Sequence, residues 1–361
     1  MKVWRSKKWG LFVGLALLLA LTACGGGQPA SQASDQPGGA EGDTAVNEPR
    51  NFIVSHFLPG HHPMQTEVLT EIFEEMKKVN PGVTYEFYPA NALGDAGSHY
   101  DMAVTGEADV ALSVHGYTAG RFPSVTVVEL PFLAESAEHG SRIIQKLYEE
   151  FPEIQENHSD TTPLFLFTAE PAQIISATHR IEKPEDLKGL RVRTPSQMGS
   201  KILETLGATP ISMPMSDVYE SLERGVIDAA MVPLETLHNW SFHEIVKYVT
   251  IGNFSPTPFY VVMNTDKYNS LSDAEKEVLR QLGGMVGAEK SGRVFDVDGQ
   301  QGLQKAKEKG AEIIELTGDQ LKPWQDALAS VAEEWIKEME AKGLPAQQMY
   351  ERALQLKEEL R

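Results

Sequence analysis

From about residue 51 onward, short apolar runs alternate with stretches whose apolar positions recur every three or four residues. The runs Phe52–Leu58, Thr84–Tyr88, Asp109–Val114, Leu164–Thr168, Leu190–Thr194, Ala229–Val232, Phe259–Asn264 and Ala311–Leu316 predict strands, because short apolar runs between polar turns suit a buried sheet. Between the first two, Val68, Leu69, Ile72, Phe73 and Met76 fall on one helical face. Ile202, Leu203 and Leu206 repeat that spacing, as do Val218 and Leu222 after Ser216, a candidate N-cap. Residues 319–361 read as helical, with Trp324, Leu328, Val331 and Trp335 on one stripe. Strand–helix alternation predicts an α/β fold with mainly parallel sheets.

The stretches MAVTGEADVALSV (102–114) and SLERGVIDAAMVP (221–233) share an order: helix end, Gly, two residues, Asp, apolar strand. Gly106 and Gly225 suit left-handed helix C-caps. The echo predicts two similar lobes, and the roughly 310 residues after the N-terminal segment are enough to build them.

That N-terminal segment has a different pattern. Lys2, Arg5, Lys7 and Lys8 precede an apolar run, Leu11 to Leu21, too short for a stable membrane span and suited to a signal-peptide core. Leu21-Thr22-Ala23-Cys24 resembles a bacterial lipobox, which implies cleavage after residue 23 and a lipid on Cys24. Cys24 is the only cysteine, so no intramolecular disulfide forms. Residues 24–50, rich in Gly, Pro, Ser and Gln, read as a flexible tether. The mature chain is then held at a bacterial membrane, on its extracytoplasmic side.

Charge narrows the partners. The formal net charge is −19, and removal of the four leader cations with no acids makes it −23. Such a surface repels phosphate backbones, so nucleic acid is not an expected partner. The sequence has no G-x-S-x-G elbow, P-loop or H-E-x-x-H pattern, and no catalytic residue is nominated. His56, His61 and His62 sit where a strand gives way to a loop. They leave open a metal receptor, although ligands from a second lobe would be needed; a hydrogen-bonding role for His62 in a pocket is the other reading.

In GLRVRTPSQ (189–197), Arg191 and Arg193 share one face of a strand, and Arg193 ends it. Arg193 either pairs with nearby Glu182, Glu185 or Asp186, or lies at the crevice where open α/β sheets bind ligands. There its planar fork matches a carboxylate.

The stretch 183–233 resembles the solute receptors of TRAP transporters, the C4-dicarboxylate-binding protein family. The resemblance rests on DLKGLRVR (186–193), LGATP (206–210), Met213-Pro214, VYESL (218–222) and the Gly225–Asp228 spacing. YPANALGD (88–95), GYTAGRFPSVTVVELPF (116–132) and TPFYVVMN (257–264) extend it. It implies two α/β lobes of periplasmic-binding-protein type, a ligand cleft between them and long C-terminal helices. Lobe I is expected at 51–170 plus 259–299, and lobe II at 171–258 plus 300–361. It further implies a non-enzymatic monomer without a cofactor or metal that captures a small organic acid and delivers it to a TRAP-type membrane permease. An ABC-type receptor, a sensory receptor and an exported enzyme stay open as alternatives. Arg193 falls on the family's carboxylate-binding position, and Arg191 is expected to pair structurally.

Where many relatives carry a second arginine this chain has Gln173, where many carry an asparagine it has Val232, and an aromatic position is Met215. These departures predict a ligand with one carboxylate and an apolar or aromatic body. Gln173, His62, Tyr117, Met213, Met215, Pro233 and Phe259 are further expected pocket residues, and Trp240 is a candidate lid or packing residue.

Overall fold

The computed structural model describes residues 48–361. The expected signal segment, Cys24 and nearly all of the tether lie outside them. Arg50, expected at the end of the tether, opens the first strand, where it pairs with Val83.

Two mixed sheets form the framework. The first has the order β2-β1-β3-β10-β4, from Val83–Tyr88, Arg50–His56, Val110–Val114, Pro258–Met263 and Thr162–Thr168. The second has the order β11-β9-β5-β8-β6-β7, from Glu312–Glu315, Tyr248–Ile251, Gln173–Ser176, Ala229–Val232, Arg191–Thr194 and Thr209–Ser212. The α/β class and the two lobes expected from the pattern are present. The sheets are not simply parallel: β10 runs against β3 and β4, and β5 runs against β8 and β9. Strands β5, β7 and β9 have no counterpart in the sequence-predicted set.

The internal echo is structural. Gly106 and Gly225 have φ of 78° and 68°. In the first lobe Asp109 N donates to Ile53 O (2.9 Å) while Ile53 N donates to Asp109 Oδ2 (2.8 Å). In the second, Asp228 N donates to Arg191 O (2.8 Å) and Arg191 N donates to Asp228 Oδ2 (2.8 Å). Each aspartate thus locks the start of its strand to the neighbouring one.

The chain crosses between lobes through residues 169–172, which join β4 to β5, and 252–257, which join β9 to β10. The crossings are bonded to each other: Ala169 N to Thr257 O (3.0 Å), Ala172 N to Ser255 O (2.7 Å) and Phe254 N to Ala172 O (3.0 Å). A third link is the 25-residue helix Gly284–Glu308, which packs on the helix Ala137–Glu150 of the first lobe and on Thr236–Asn239 of the second.

The C-terminal helices are present, with Trp324, Leu328, Val331 and Trp335 all buried. Assigning all of 300–361 to the second lobe does not describe their packing. Val331–Ala341 lies against Gln197–Thr205 of the second lobe, but Ala346–Glu359 packs on Ala137–Glu150 of the first. Lys357 Nζ donates to Phe132 O (2.8 Å) and Arg352 pairs with Glu150 (2.7 Å). The last helix docks through its buried face of Ala346, Met349, Ala353 and Leu356, with those polar contacts at its rim. Among the described residues no helix is long and apolar enough to cross a membrane.

The long helix meets its neighbours backbone to backbone. A Cβ on Gly292 would lie 2.4 Å from Glu138 Cα and 2.7 Å from Ala137 O. Asp296, one turn on, accepts from Ala137 N (2.7 Å) and Glu138 N (3.0 Å), capping that helix. Gly292→Ala is expected to lower stability by roughly 1–3 kcal/mol despite alanine's better helix propensity, because neither backbone can yield. The midpoint of urea unfolding would read the loss; an unchanged midpoint would contradict the contact.

Candidate functional site

β6 is an inner strand between β7 and β8, so side chains at its carboxyl end are buried by both neighbours. Its two arginines separate there. Arg191 is bound by Asp228 through Nε (3.0 Å) and Nη2 (2.7 Å), the structural pairing expected for it. Arg193 is 1% exposed and meets no carboxylate: none of the ion pairs among the described residues includes it. Glu182 instead pairs with Arg180, and Asp186 accepts from the backbone N–H groups of residues 182 and 183.

The Arg193 guanidinium is held by neutral groups. Nε donates to Met213 O (3.0 Å), Nη1 to Met231 O (3.3 Å) and Nη2 to the Tyr117 hydroxyl (3.2 Å). A guanidinium has five N–H donors, so two remain. Tyr117 also accepts from Met215 N (3.0 Å), and burial pushes its pKa up against the pull of Arg193, so its own proton is kept and free to donate. Carbonyls and a phenol orient a cation without neutralising it. Burial pushes the guanidinium's pKa down, yet an arginine stays charged in a protein.

Beside this group lies a closed-down cavity of about 10 Å³, roughly the room of one water molecule. Of the sequence-predicted residues, Arg193, Tyr117, Met215, Pro233 and Phe259 line it, and so does Trp240. Phe57, Leu58, Val114, Pro195, Glu235 and Thr257 line it as well and were not foreseen. Phe57 and Leu58 follow β1 in a predicted apolar run, a signal that was available; Glu235 had none. Phe57 stacks near Phe259 (6.0 Å) and Trp240 (6.2 Å) and meets Tyr117 edge-on (5.3 Å), so four aromatic rings cluster in the wall.

Three expected pocket residues are placed elsewhere. Gln173 is saturated in the hinge: Oε1 accepts from Gly252 N (2.8 Å) and Asn253 N (2.9 Å), and Nε2 donates to Pro171 O (2.8 Å). Met213 serves through its carbonyl, with its side chain outside the cavity wall. His62 lies behind Glu235, with Nε2 at 3.5 Å from Oε2. The histidines do not converge. His56 bonds Gln65 (2.9 Å) with its pKa lowered to about 4 by burial, and His61 is exposed. Among the described residues no group of three His, Cys, Asp or Glu side chains is placed to hold a metal ion.

A larger hollow, about 110 Å³, opens between the lobes near Trp335. Its cations are already paired, Lys201 with Glu334 (3.2 Å) and Lys342 with Glu338 (2.9 Å). The smaller cavity has the unneutralised charge, and it is the better candidate for binding.

The lobes touch across the cleft. Besides Tyr117–Arg193 and His62–Glu235, the Ser196 hydroxyl donates to Glu129, and Gly116 packs where a Cβ would lie 2.6 Å from Ser196 Cβ. Burial pushes Glu129 up to about 7, against the Ser196 hydrogen bond. A raised carboxyl holds its proton in the folded state, so its contribution is full below the unfolded value near 4.5 and is lost as pH rises through about 7. Glu129→Gln is expected to be more stable than the parent at pH 8, by up to roughly 3 kcal/mol, and equal to it near pH 4. Unfolding midpoints across that range test this; parallel pH curves would contradict it.

Residues 54–338 match the family model for bacterial extracellular solute-binding protein, family 7. A marine metagenome TRAP solute binding protein specific for aromatic acid ligands, solved in complex with metahydroxyphenylacetate, is 30% identical. The alignment covers 86% of this chain and 99% of that one, with a TM-score of 0.82. A TRAP solute binding protein from Rhodoferax ferrireducens T118, solved with copurified benzoate, is 26% identical over 86% of this chain and 98% of its own, with a TM-score of 0.81. The 2,3-diketo-L-gulonate-binding periplasmic protein of Escherichia coli K12 is 26% identical over 72% of this chain and 77% of the relative.

Proposed function

The chain belongs to family 7 of the bacterial extracellular solute-binding proteins, as a TRAP-transporter receptor, and from that premise we propose that its ligand is a monocarboxylic acid with an apolar or aromatic body. One observation carries the reading: Arg193 is a buried guanidinium with spare donors and no counter-ion, facing a small aromatic cavity. Burying a charge without a partner is unfavourable, and a bound carboxylate supplies the partner. Two remaining Arg193 N–H groups and the Tyr117 proton provide donors for its two oxygens. The cavity has no second arginine or lysine in its wall for a second carboxylate. Two relatives solved with aromatic acids support the apolar body.

In this reading the lobes close over the acid, the Tyr117–Arg193 contact joins them once it is bound, and the closed form hands it to a TRAP-type membrane permease. No reaction is proposed. Removing one partner of a buried charge pair costs on the order of 3–5 kcal/mol, so Arg193→Ala is expected to weaken binding by roughly 10²–10³-fold or more. Gln173→Ala, which touches only the hinge, is expected to change affinity far less. Calorimetry with benzoate and phenylacetate checks both; equal losses would remove Arg193 as the anchor. Tight binding of succinate with no affinity for any monocarboxylate would overturn the ligand class.

We propose further that the mature chain is tethered by a lipid on Cys24. The cationic leader, its short apolar run and the Leu-Thr-Ala-Cys sequence support this. Cys24→Ala is expected to release the protein from the membrane fraction or to leave the leader uncleaved. Persistent membrane association with a cleaved leader would contradict it.

A further inference from the structure

We infer that Glu129 makes this receptor bind a proton together with its acid: closing the lobes encloses the carboxyl without a counter-cation, and the proton is its partner there. The inference rests on the reading above that the lobes close over an acid, and it concerns a residue outside the wall of the Arg193 cavity.

Glu129 ends the short helix Ser124–Glu129 of the first lobe and is 3% exposed. It is held from two sides. Its carbonyl accepts from Ser255 Oγ of the crossing (2.6 Å), and its carboxyl accepts from the Ser196 hydroxyl of the second lobe. Ser196 is fixed in turn: it caps the helix Gln197–Thr205, with Oγ accepting from Gly199 N (3.0 Å), and its own proton goes to Glu129. Among the described residues that hydroxyl is the one hydrogen bond to the carboxyl, and none of the ion pairs includes Glu129.

The cations around it are committed elsewhere. Glu129 lines the hollow between the lobes with His115, Lys201, Glu338 and Lys342. Lys201 pairs with Glu334 (3.2 Å) and Lys342 with Glu338 (2.9 Å). His115 bonds His158 (2.9 Å), and burial pushes both imidazoles below their usual range, His158 to about 4, which keeps them neutral. Cations on the helices packed against Ser124–Glu129 are engaged too: Arg142 with Glu138 (2.6 Å), Lys146 with Glu149 (2.8 Å), Arg352 with Glu150 (2.7 Å) and Lys357 with Phe132 O (2.8 Å). His139 bonds the Lys357 carbonyl (3.0 Å), and burial lowers its pKa. The helix Pro152–Glu156 and strand β10 bring Glu153, Glu156 and Tyr260, none of them a cation.

Burying a carboxylate with so little support is unfavourable, and a proton removes the charge. Enclosure accordingly pushes Glu129 up to about 7, against the Ser196 hydrogen bond. With the lobes apart, Ser196 leaves and water reaches the carboxyl, which returns to its ordinary value near 4.5. Between those values the open form is ionised and the closed form protonated, so closure takes up a proton. Linkage fixes the sign: affinity for the acid is full below about 4.5 and declines until pH has risen through about 7.

The test is calorimetry of benzoate and phenylacetate at pH 6 in phosphate and imidazole buffers, whose ionisation heats differ, so that the difference in apparent enthalpy counts protons. The parent is expected to take up about one proton per acid, and to bind roughly 10–100-fold less tightly at pH 8 than at pH 5.5. Glu129→Gln keeps the shape without titrating: its uptake is expected to be near zero and its affinity flat across that range, at the parent's pH 5.5 value. Parent binding that is independent of pH and buffer overturns the inference. So does uptake that survives in Glu129→Gln, which would assign the proton to His62 and Glu235, the other ionisable pair across the seam. If neither chain binds either acid at any pH, the monocarboxylate reading fails, and small-angle scattering without ligand decides the inference separately. A radius that contracts from pH 8 to pH 5.5 in the parent but not in Glu129→Gln supports it; any other pattern overturns it.

Discussion

A positive charge enclosed without a negative one governs this molecule. Arg193 sits at the end of an inner strand, and its surroundings supply carbonyl oxygens and a phenol instead of a carboxylate. Such an arrangement fixes the direction of the fork while keeping its charge unspent. An ion pair in the same place would make the site self-sufficient and indifferent to ligand. The contrast lies two residues away: Arg191, on the same strand face, has Asp228 as a bidentate partner and serves only to hold strands together. One residue type is thus neutralised or left without a counter-ion according to whether an aspartate stands opposite.

The lobes are built to put that charge at a seam. Each sheet contains a parallel core and one reversed strand, and each reversed strand is the one that has just arrived from the other lobe. The two crossings are hydrogen-bonded to one another where they pass between the lobes. Gln173 belongs to this hinge, with its amide spent on holding Gly252 and Asn253. At the seam, Gly116 permits a backbone-to-side-chain approach that any larger residue would prevent.

Much of this was legible in the sequence. Long apolar runs such as Phe259–Asn264 are strong local signals and the helix–Gly–Asp–strand echo is a weak one, and both marked true elements. Arg193 was legible because a strand end followed by Thr-Pro is a position with a definite direction. What the sequence did not reveal has a common cause: it depends on contacts between segments far apart in the chain. The four-residue strands β5, β7 and β9 exist only because neighbours pair with them. Glu235 reaches the cavity because the seam places it there, and one more glutamate in so acidic a chain attracts no notice. Tyr117 and Arg193 are 76 positions apart, and nothing local announces that they meet. His62 misled for the opposite reason: a histidine after a strand looks like a pocket residue, but its ring is turned behind Glu235.

The reversed strand β10 also bears on how such a chain comes into being. It occupies an interior place in the first sheet, between β3 and β4, yet it is made only after every strand of the second sheet except β11. The first lobe therefore cannot close its core until about residue 260 has emerged, and the long helix and tail arrive later still. Contacts of such long sequence separation make folding slow, because distant segments must meet before either is rewarded. For a protein that leaves the cytoplasm before it works, that delay is useful. A chain that cannot complete either half early keeps both cores open until most of its length has been made.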